Sequence, residues 1–512
     1  MNPAAAPSLE RWTIAALLSL LLAMLPAVAA VALLSMAHLQ LPHAPLWTLG
    51  LSLVLGLLAC PWLARRLPSD WDGAARAHPG LSALWLLLAL AAIARTAGVA
   101  LFMVDAQQAQ ASAYWFDEFY VRHNCFSGMW KAASLAAQGV ENVYDPEHYT
   151  GMEGRFKLDD FLYLPQFLIL PRAGLALGAD FLPLRALWFA LEGALLAFGV
   201  FALARWIGGA AGRRLALLLP VLWLSTPVLL TLQLGNFQIA AIAMSLLAMM
   251  LFWRQRPVLG GALLGFAVFK LFPGLLGLYL LAARRWREAA WTIAFAALYS
   301  LIALAWLGWA PYQAFFDFQA PRILSNESWA FLWLDGLEPV VAINDSVPGL
   351  VLKLDLLGVP GMTPAAEKAV SWVWTLAVFA LAILSARRAP RMSRLELVGA
   401  WLALLALAAY RSPFVPDHNG LFAPIWLWAL IAAGARLSPR NLLLLAMGWL
   451  ALTAVLPFGG LPMPELIGRL TLSTLSQFVA LGLCLWVLLR QPRGEAPPRP
   501  LPTSATPTLA MG

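Results

Sequence analysis

Four groups of residues in this chain have types and spacings that could do chemistry. The first is Trp115-Phe116-Asp117-Glu118-Phe119-Tyr120. A carboxylate held among aromatic rings at a membrane surface is partly desolvated, which raises its pKa toward the working range of a general base. The plainer alternative is two solvated loop acids beside an aromatic belt. The second is Gln233-Leu234-Gly235-Asn236-Phe237-Gln238, whose carboxamides Asn236 and Gln238 pair donors with acceptors, as a hydroxyl-rich ligand needs. The alternative is a tight turn with Gly235 at an unusual φ and polar neighbours capping the next helix. The third is Lys270, inside an apolar stretch, where an ammonium is costly and marks function by default. A phosphate partner would satisfy it, as would snorkelling or a carboxylate such as Glu192 or Glu288. The fourth joins Asn344-Asp345-Ser346 to Arg411-Ser412-Pro413 and Asp417-His418-Asn419. Cations and carboxamides at one rim suit a phosphate and sugar hydroxyls, although proline and asparagine also favour ordinary turns.

The elements that must position these groups are membrane helices. Of 512 residues, 61% are apolar and 12% charged, against roughly 25% charged in soluble domains. That balance excludes a soluble enzyme, a disordered chain and a disulfide scaffold. Apolar runs of about 20 residues suit helices across ~30 Å of hydrocarbon. The first, from Trp12 to Met36, is too long for a signal-peptide core and is expected to be retained. Further spans are expected near 46–64, 81–104, 183–204, 214–233, 237–253, 289–309, 369–386, 396–412, 420–435, 441–457 and 466–489, which makes about 12 transmembrane helices. The fold class is therefore an all-α polytopic membrane protein.

Arginine placement sets the expected orientation. Alternate connections hold Arg65, Arg205, Arg213, Arg254, Arg284, Arg387, Arg436 and their basic neighbours. With these connections cytoplasmic, both termini are cytoplasmic too. The net charge of +8 then reflects topology in a cytoplasmic membrane and contact with membrane lipid, and no nucleic acid partner is implied. Residues 257–283 break the alternation, since both flanks are basic. A re-entrant hairpin with its tip at Lys270-Leu271-Phe272-Pro273 preserves it. Residues 161–178, interrupted by Pro165, Pro171 and Arg172, read as a juxtamembrane or re-entrant piece.

Two long outer loops, about 105–182 and 310–368, hold ten and seven of the 26 acidic residues. Acid–base chemistry is therefore expected on the outer face. Residues 127–138 read as an amphipathic interfacial helix. The three cysteines, Cys60, Cys125 and Cys484, are far apart, and neither a disulfide framework nor metal-ligand spacing is visible. Cys60 and Cys484 read as packing residues, and Cys125 has no evident partner.

In their order along the chain, the pieces resemble glycosyltransferase family 87, over about residues 80–435. The residues that carry the likeness are Asp117 and Tyr120, Gly139, Tyr144-Asp145, Tyr163-Leu164-Pro165, Gly235-Asn236-Phe237-Gln238, Lys270-Leu271-Phe272-Pro273, Arg284-Arg285-Trp286-Arg287, Asn344 to Leu350, and Ser412-Pro413 before Asp417-His418. The chain departs from the family pattern in three places. Asn236 and Gln238 stand in exchanged order, Gln166 replaces a common second proline, and Val415-Pro416 stand where a tryptophan usually precedes the histidine.

The resemblance implies a glycosyltransferase C-type fold and inverting transfer of a mannose-like hexose or an arabinofuranose. The donor would be a polyprenyl-phosphate sugar and the acceptor a lipid or glycan. Asp117 looks like the family's outer-loop acid, with Glu118 as the alternative base. Lys270, Arg411 and His418 are the candidate phosphate ligands. Tyr120, Asn236, Gln238, Asn344 and Asp345 are the candidates for sugar or acceptor hydroxyls. No cofactor is certain, with a divalent metal left open. The expected organisation is an additional transmembrane hairpin (1–80), a catalytic module (81–310), a C-terminal module (311–490) and a disordered cytoplasmic tail (491–512). The rival classes are a transporter or flippase and a polymerase or ligase of lipid-linked glycans.

Overall fold

The computed structural model describes residues 7–39, 41–68, 77–108, 122–325, 327–333, 338–416, 420–453 and 462–490. The candidate residues Asp117, Glu118, Tyr120 and His418 lie outside the described residues.

The described chain is almost wholly helical. Long apolar helices run over Leu9–Met36 (α1), Ala44–Arg66 (α2) and Pro79–Val104 (α3). A segment of shorter elements follows, with Cys125–Ala137 (α4), a two-stranded hairpin pairing Met152–Glu153 with Phe156–Lys157, and Ile169–Ala176 (α5). Then come Phe181–Ile207 (α6), Gly209–Leu217 (α7), Leu219–Trp223 (α8), Thr226–Leu234 (α9), Gln238–Trp253 (α10), Pro257–Ala267 (α11), Leu275–Ala282 (α12) and Trp286–Leu307 (α13). After short helical turns the chain continues as Val347–Leu356 (α14), Pro364–Arg388 (α15), Arg394–Ala409 (α16), Phe422–Gly434 (α17), Pro439–Thr453 (α18) and Met463–Arg490 (α19).

Among the described residues, seven helices are long and apolar enough to cross a membrane, or eight if a bent pair counts as one span. Twelve were expected. The expected span 214–233 is not continuous: it is broken into α7, α8 and α9. Pro220 and Pro227 stand in the first turns of α8 and α9, where the missing N–H does no harm but the preceding helix cannot continue. The late helices α16 and α17 have 16 and 13 residues, short of the ~20 that span the hydrocarbon upright. Residues 161–178 form a short 3-10 turn at Pro165–Leu168 and then α5, whose eight residues cannot cross.

Large exposed apolar side chains mark the faces that meet lipid. They include Leu57, Leu58 and Trp62 on α2, Ile293 and Leu301 on α13, and Val373 and Leu376 on α15. The central helices α10 and α17 are instead buried on nearly every side.

Residues 257–283 leave α10 and come back to it. At one end of the loop, Arg285 donates to the Phe252 carbonyl (2.8 Å) and its guanidinium lies 4.0 Å from the Trp253 ring. At the other, Lys270 reaches Asn236, which precedes α10. The segment is thus a hairpin as deep as α10 is long. Its arms find different neighbours, α11 packing on α10 and α13, and α12 packing on α15. The turn itself is strained: Leu271 has φ 71° and ψ −60°, the region of the rare γ-turn, in a side chain with no glycine freedom.

The arginine-bearing connections gather at the same end as Arg285. Arg394 donates to the Trp206 carbonyl (2.8 Å) and Arg214 to that of Ala435 (2.7 Å). The Trp206 and Trp401 rings stack, and Trp253 meets Trp401 edge-on.

At the opposite end, a buried ion pair ties the second long loop to α19. Lys353 Nζ lies 3.3 Å from Asp345 Oδ1 and 2.7 Å from Thr474 Oγ1, and the Lys353 side chain has no solvent exposure. Removing one partner of a buried pair strands the other charge, at about 3–5 kcal/mol, whereas replacing both with apolar groups is often near neutral. Lys353→Met is therefore expected to lower the melting temperature of the solubilised protein sharply, and adding Asp345→Leu to recover most of the loss. If the double variant is no more stable than the single one, the pair is not what holds this joint.

Candidate functional site

The site is built where α9 and α10 meet. These two helices are bent by 109° about the Gly235–Phe237 turn. Gly235 sits at φ 68°, and a side chain there would press on Phe126 and Trp188. Its carbonyl accepts from the Trp188 indole (2.9 Å). Asn236 Oδ1 accepts the Gln238 N–H (3.1 Å), so the residue caps α10. The same oxygen faces Lys270 Nζ at 3.3 Å. Capping and contact with the lysine are one arrangement.

Lys270 reaches this corner from the hairpin tip. Its ammonium donates to the Tyr163 hydroxyl (2.8 Å) and lies 4.2 Å from that ring's centroid. A cation over a tyrosine face gains from the ring quadrupole, the more so when desolvated. Tyr163 is held in turn by Tyr144, whose hydroxyl donates to the Tyr163 carbonyl (2.9 Å). The Tyr144-Asp145 and Tyr163-Leu164-Pro165 pieces are therefore in contact, and together they aim Tyr163 at the lysine. Glu288, an expected partner for Lys270, is at the far end, paired with Arg285 at 2.8 Å. Glu192 is fully buried in α6, close enough for its charge to act on Lys270.

Cys125, which the sequence left without a partner, is part of the same corner. Its Sγ accepts from Asn236 Nδ2 (3.3 Å) and lies 3.5 Å from His123 Nε2. His123 Nδ1 is 3.3 Å from Asp159 Oδ1. Burial, then the neighbouring Asp159, pushes the Cys125 thiol well above its ordinary value, against the pull of Asn236 and Lys270. Burial also raises the Asp159 carboxyl, with His123 and Lys157 opposing. The expected helix at 127–138 is α4, which starts two residues earlier because Asn124 caps it by accepting the Phe126 N–H (3.1 Å).

The remaining candidates form a second cluster. Asn344 donates to the Pro413 carbonyl (2.8 Å) and accepts the N–H groups of Val415 (2.9 Å) and Ser346 (3.2 Å). The Asp345 N–H donates to the Val415 carbonyl (2.8 Å). Asn344-Asp345-Ser346 and the Pro413–Val415 backbone are thus one knit unit, with the Asn344 carboxamide engaged by backbone and Asp345 turned to Lys353. Arg411 joins Thr375 Oγ1 (2.7 Å) in place of the lysine's corner. Gln238 is buried beside Asn236. Lys270, Asn236 and Gln238 come together; Asn344, Asp345 and Arg411 gather separately. Tyr163, His123, Cys125 and Asp159 were not singled out for chemistry from sequence. The local signal was His123-Asn124-Cys125, but its third member lies more than thirty residues on.

Gly128 fixes this corner. A Cβ there would meet the Asp159 carbonyl oxygen at 2.5 Å, so only glycine lets the 156–160 segment lie against α4. Gly128→Ala is expected to cost about 1–3 kcal/mol by overpacking. Because reaction needs the thiolate, native Cys125 should alkylate at pH 8 at least about tenfold more slowly than a free thiol of pKa about 8.5, rising only at higher pH. Site-resolved mass spectrometry should show faster labelling in Gly128→Ala; an unchanged rate would refute the role of this contact.

No curated protein matches the chain, and no solved structure matches it either. Residues 161–409, which include Tyr163, the α9–α10 bend, the hairpin and Asn344, match the model of glycosyltransferase family 87, so this region, just under half of the chain, is similar to that family, within a helical chain that carries seven helices apolar and long enough to cross a membrane among its described residues.

Proposed function

We propose that the protein transfers a mannose-like hexose or an arabinofuranose from a polyprenyl-phosphate donor to a lipid or glycan acceptor, at the outer face of the cytoplasmic membrane. The observation that carries this reading is the Lys270 ammonium, held at a hairpin tip by two neutral partners, Tyr163 Oη and Asn236 Oδ1. Among the described residues no carboxylate hydrogen-bonds to this cation, which supports its match to an incoming phosphate. A lipid phosphate reaches such a corner along the bundle, while the sugar stays beyond the rim.

In this mechanism Asp117 takes the proton of the acceptor hydroxyl as that oxygen attacks the anomeric carbon. The bond from that carbon to the phosphate oxygen breaks, with inversion. Polyprenyl phosphate is already a good leaving group, so the site's work is to position the reactants and to stabilise charge growing on the phosphate. Lys270 supplies that stabilisation, and Asn236 orients it. Gln238 and Tyr120 serve hydroxyl groups, Glu118 stands beside Asp117 as the alternative base, and His418 is the further candidate for the phosphate end, whereas Arg411, bonded to Thr375, stands apart from Lys270.

Purified protein in lipid nanodiscs, given polyprenyl-phosphate mannose or arabinofuranose and candidate acceptors, tests this directly. Asp117→Asn is expected to lower kcat by about 10²–10⁴-fold, the usual worth of general-base catalysis. Lys270→Met is expected to lower kcat/KM by about 10²–10³-fold, as loss of a transition-state charge partner does. Full activity in Asp117→Asn removes that residue from the base role. Movement of the donor across proteoliposomes without any transfer would overturn the enzyme reading.

A further inference from the structure

We propose that His123, Cys125 and Asp159 form a binding site for one divalent metal of borderline softness, of the Zn²⁺ class. A ring nitrogen of His123, Cys125 Sγ and a carboxylate oxygen of Asp159 all lie within 4.8 Å of one another. The closest approaches are 3.5 Å from thiol to imidazole and 3.3 Å from imidazole to carboxylate. These two approaches use different ring nitrogens, Nε2 toward the sulfur and Nδ1 toward the carboxylate. Tetrahedral metal–ligand bonds of about 2.0–2.3 Å place ligand atoms roughly 3.3–3.8 Å apart, so binding one ion requires the imidazole to turn until a single nitrogen faces both partners. One nitrogen, one thiolate and one carboxylate is a donor set that suits Zn²⁺ or Co²⁺ and disfavours Mg²⁺ and Ca²⁺, which take oxygen. The two anionic ligands balance the charge of the ion.

The surroundings are those of a built site. Asn124 caps α4 and thereby fixes the backbone between His123 and Cys125. The Asp159 N–H donates to Ser127 Oγ (3.0 Å), which also contacts the Lys157 carbonyl (3.0 Å). Gly128 allows the Asp159 backbone its close approach. Two segments thirty residues apart are thus locked together at the point where the ligands meet. Asn236 Nδ2 donates to the sulfur (3.3 Å), the hydrogen bond a coordinated thiolate accepts.

Among the described residues the site has three protein ligands, which leaves a fourth position, the pattern of catalytic sites as distinct from closed structural ones. Only the Asn236 carboxamide separates the sulfur from the Lys270 ammonium. If transfer proceeds as proposed above, that fourth position takes a donor-phosphate or acceptor oxygen; this last assignment rests on the transfer reading, and the metal site does not.

The test needs no substrate. Full-length protein in detergent, stripped with chelator and titrated with Co²⁺, is expected to bind one equivalent and to show a thiolate-to-cobalt charge-transfer band that Zn²⁺ displaces. Cys125→Ser should abolish the band, and His123→Ala and Asp159→Ala should weaken Co²⁺ binding by at least about tenfold. In the unaltered protein, Zn²⁺ should slow alkylation of Cys125 by at least about tenfold, a readout that does not depend on any variant folding. A band that survives in Cys125→Ser, or alkylation that Zn²⁺ leaves unchanged, overturns the proposal. Because neither readout involves sugar transfer, a failed metal site and a failed transfer reading give separate results.

Discussion

An ammonium group set among membrane helices must find polar partners, and Lys270 imposes that demand on the whole corner around it. Its partners are Tyr163 and Asn236, and each needs its own support. Tyr163 is brought up by Tyr144 from a distant part of the first long loop. Asn236 is available only because α9 ends at Gly235 and α10 starts anew at a steep angle. Backbone that leaves helical form at depth is tolerated only when buried in protein or lining a cavity. The bend meets that condition, being buried, and Lys270 of the tip reaches it, whereas Leu271 at the tip is largely exposed. Leu271, held at positive φ, shows that the chain accepts local strain to put the lysine there.

The opposite end of the bundle depends on a different kind of contact. There guanidinium groups close on backbone carbonyls and tryptophan faces, as Arg285 does on Phe252 and Trp253. Cations at that end are partnered by the ends of helices, whose carbonyls carry partial negative charge. Among the described residues, the cation at the hairpin tip hydrogen-bonds to two neutral groups, with the buried Glu192 close enough for its charge to act on it. This contrast between the two ends is the electrostatic basis for placing the chemistry at the tip.

Much of the scaffold was legible in the sequence because membrane helices announce themselves by length and apolarity, and the hairpin by the basic residues on both its flanks. The break in 214–233 lies at Pro220 and Pro227, which interrupt the helix without interrupting the apolar run that marks the span. Lys270 and Asn236 were legible as costly or turn-forming polar residues. Their contact was not, since thirty-four positions separate them and only the hairpin's return brings them together. The cysteine corner was illegible for the same reason: His123 and Cys125 are neighbours, but Asp159 joins them through the contact over Gly128. Asn344 and Asp345 read as ligand groups by type, whereas folding engages them with Pro413, Val415 and Lys353. Residue type alone does not separate a carboxamide that holds a loop from one that holds a sugar.

The central claim is that Lys270 receives the phosphate of a lipid-linked donor. A cryo-electron-microscopy structure of the protein in nanodiscs with a non-transferable polyprenyl-phosphate sugar analogue tests it most directly. The account predicts the phosphate within hydrogen-bonding distance of Lys270 Nζ, between the Tyr163 and Asn236 side chains, with the lipid chain running along the bundle. Phosphate density at the arginine-rich end beside Arg285, with Lys270 still bonded only to Tyr163 and Asn236, would contradict it.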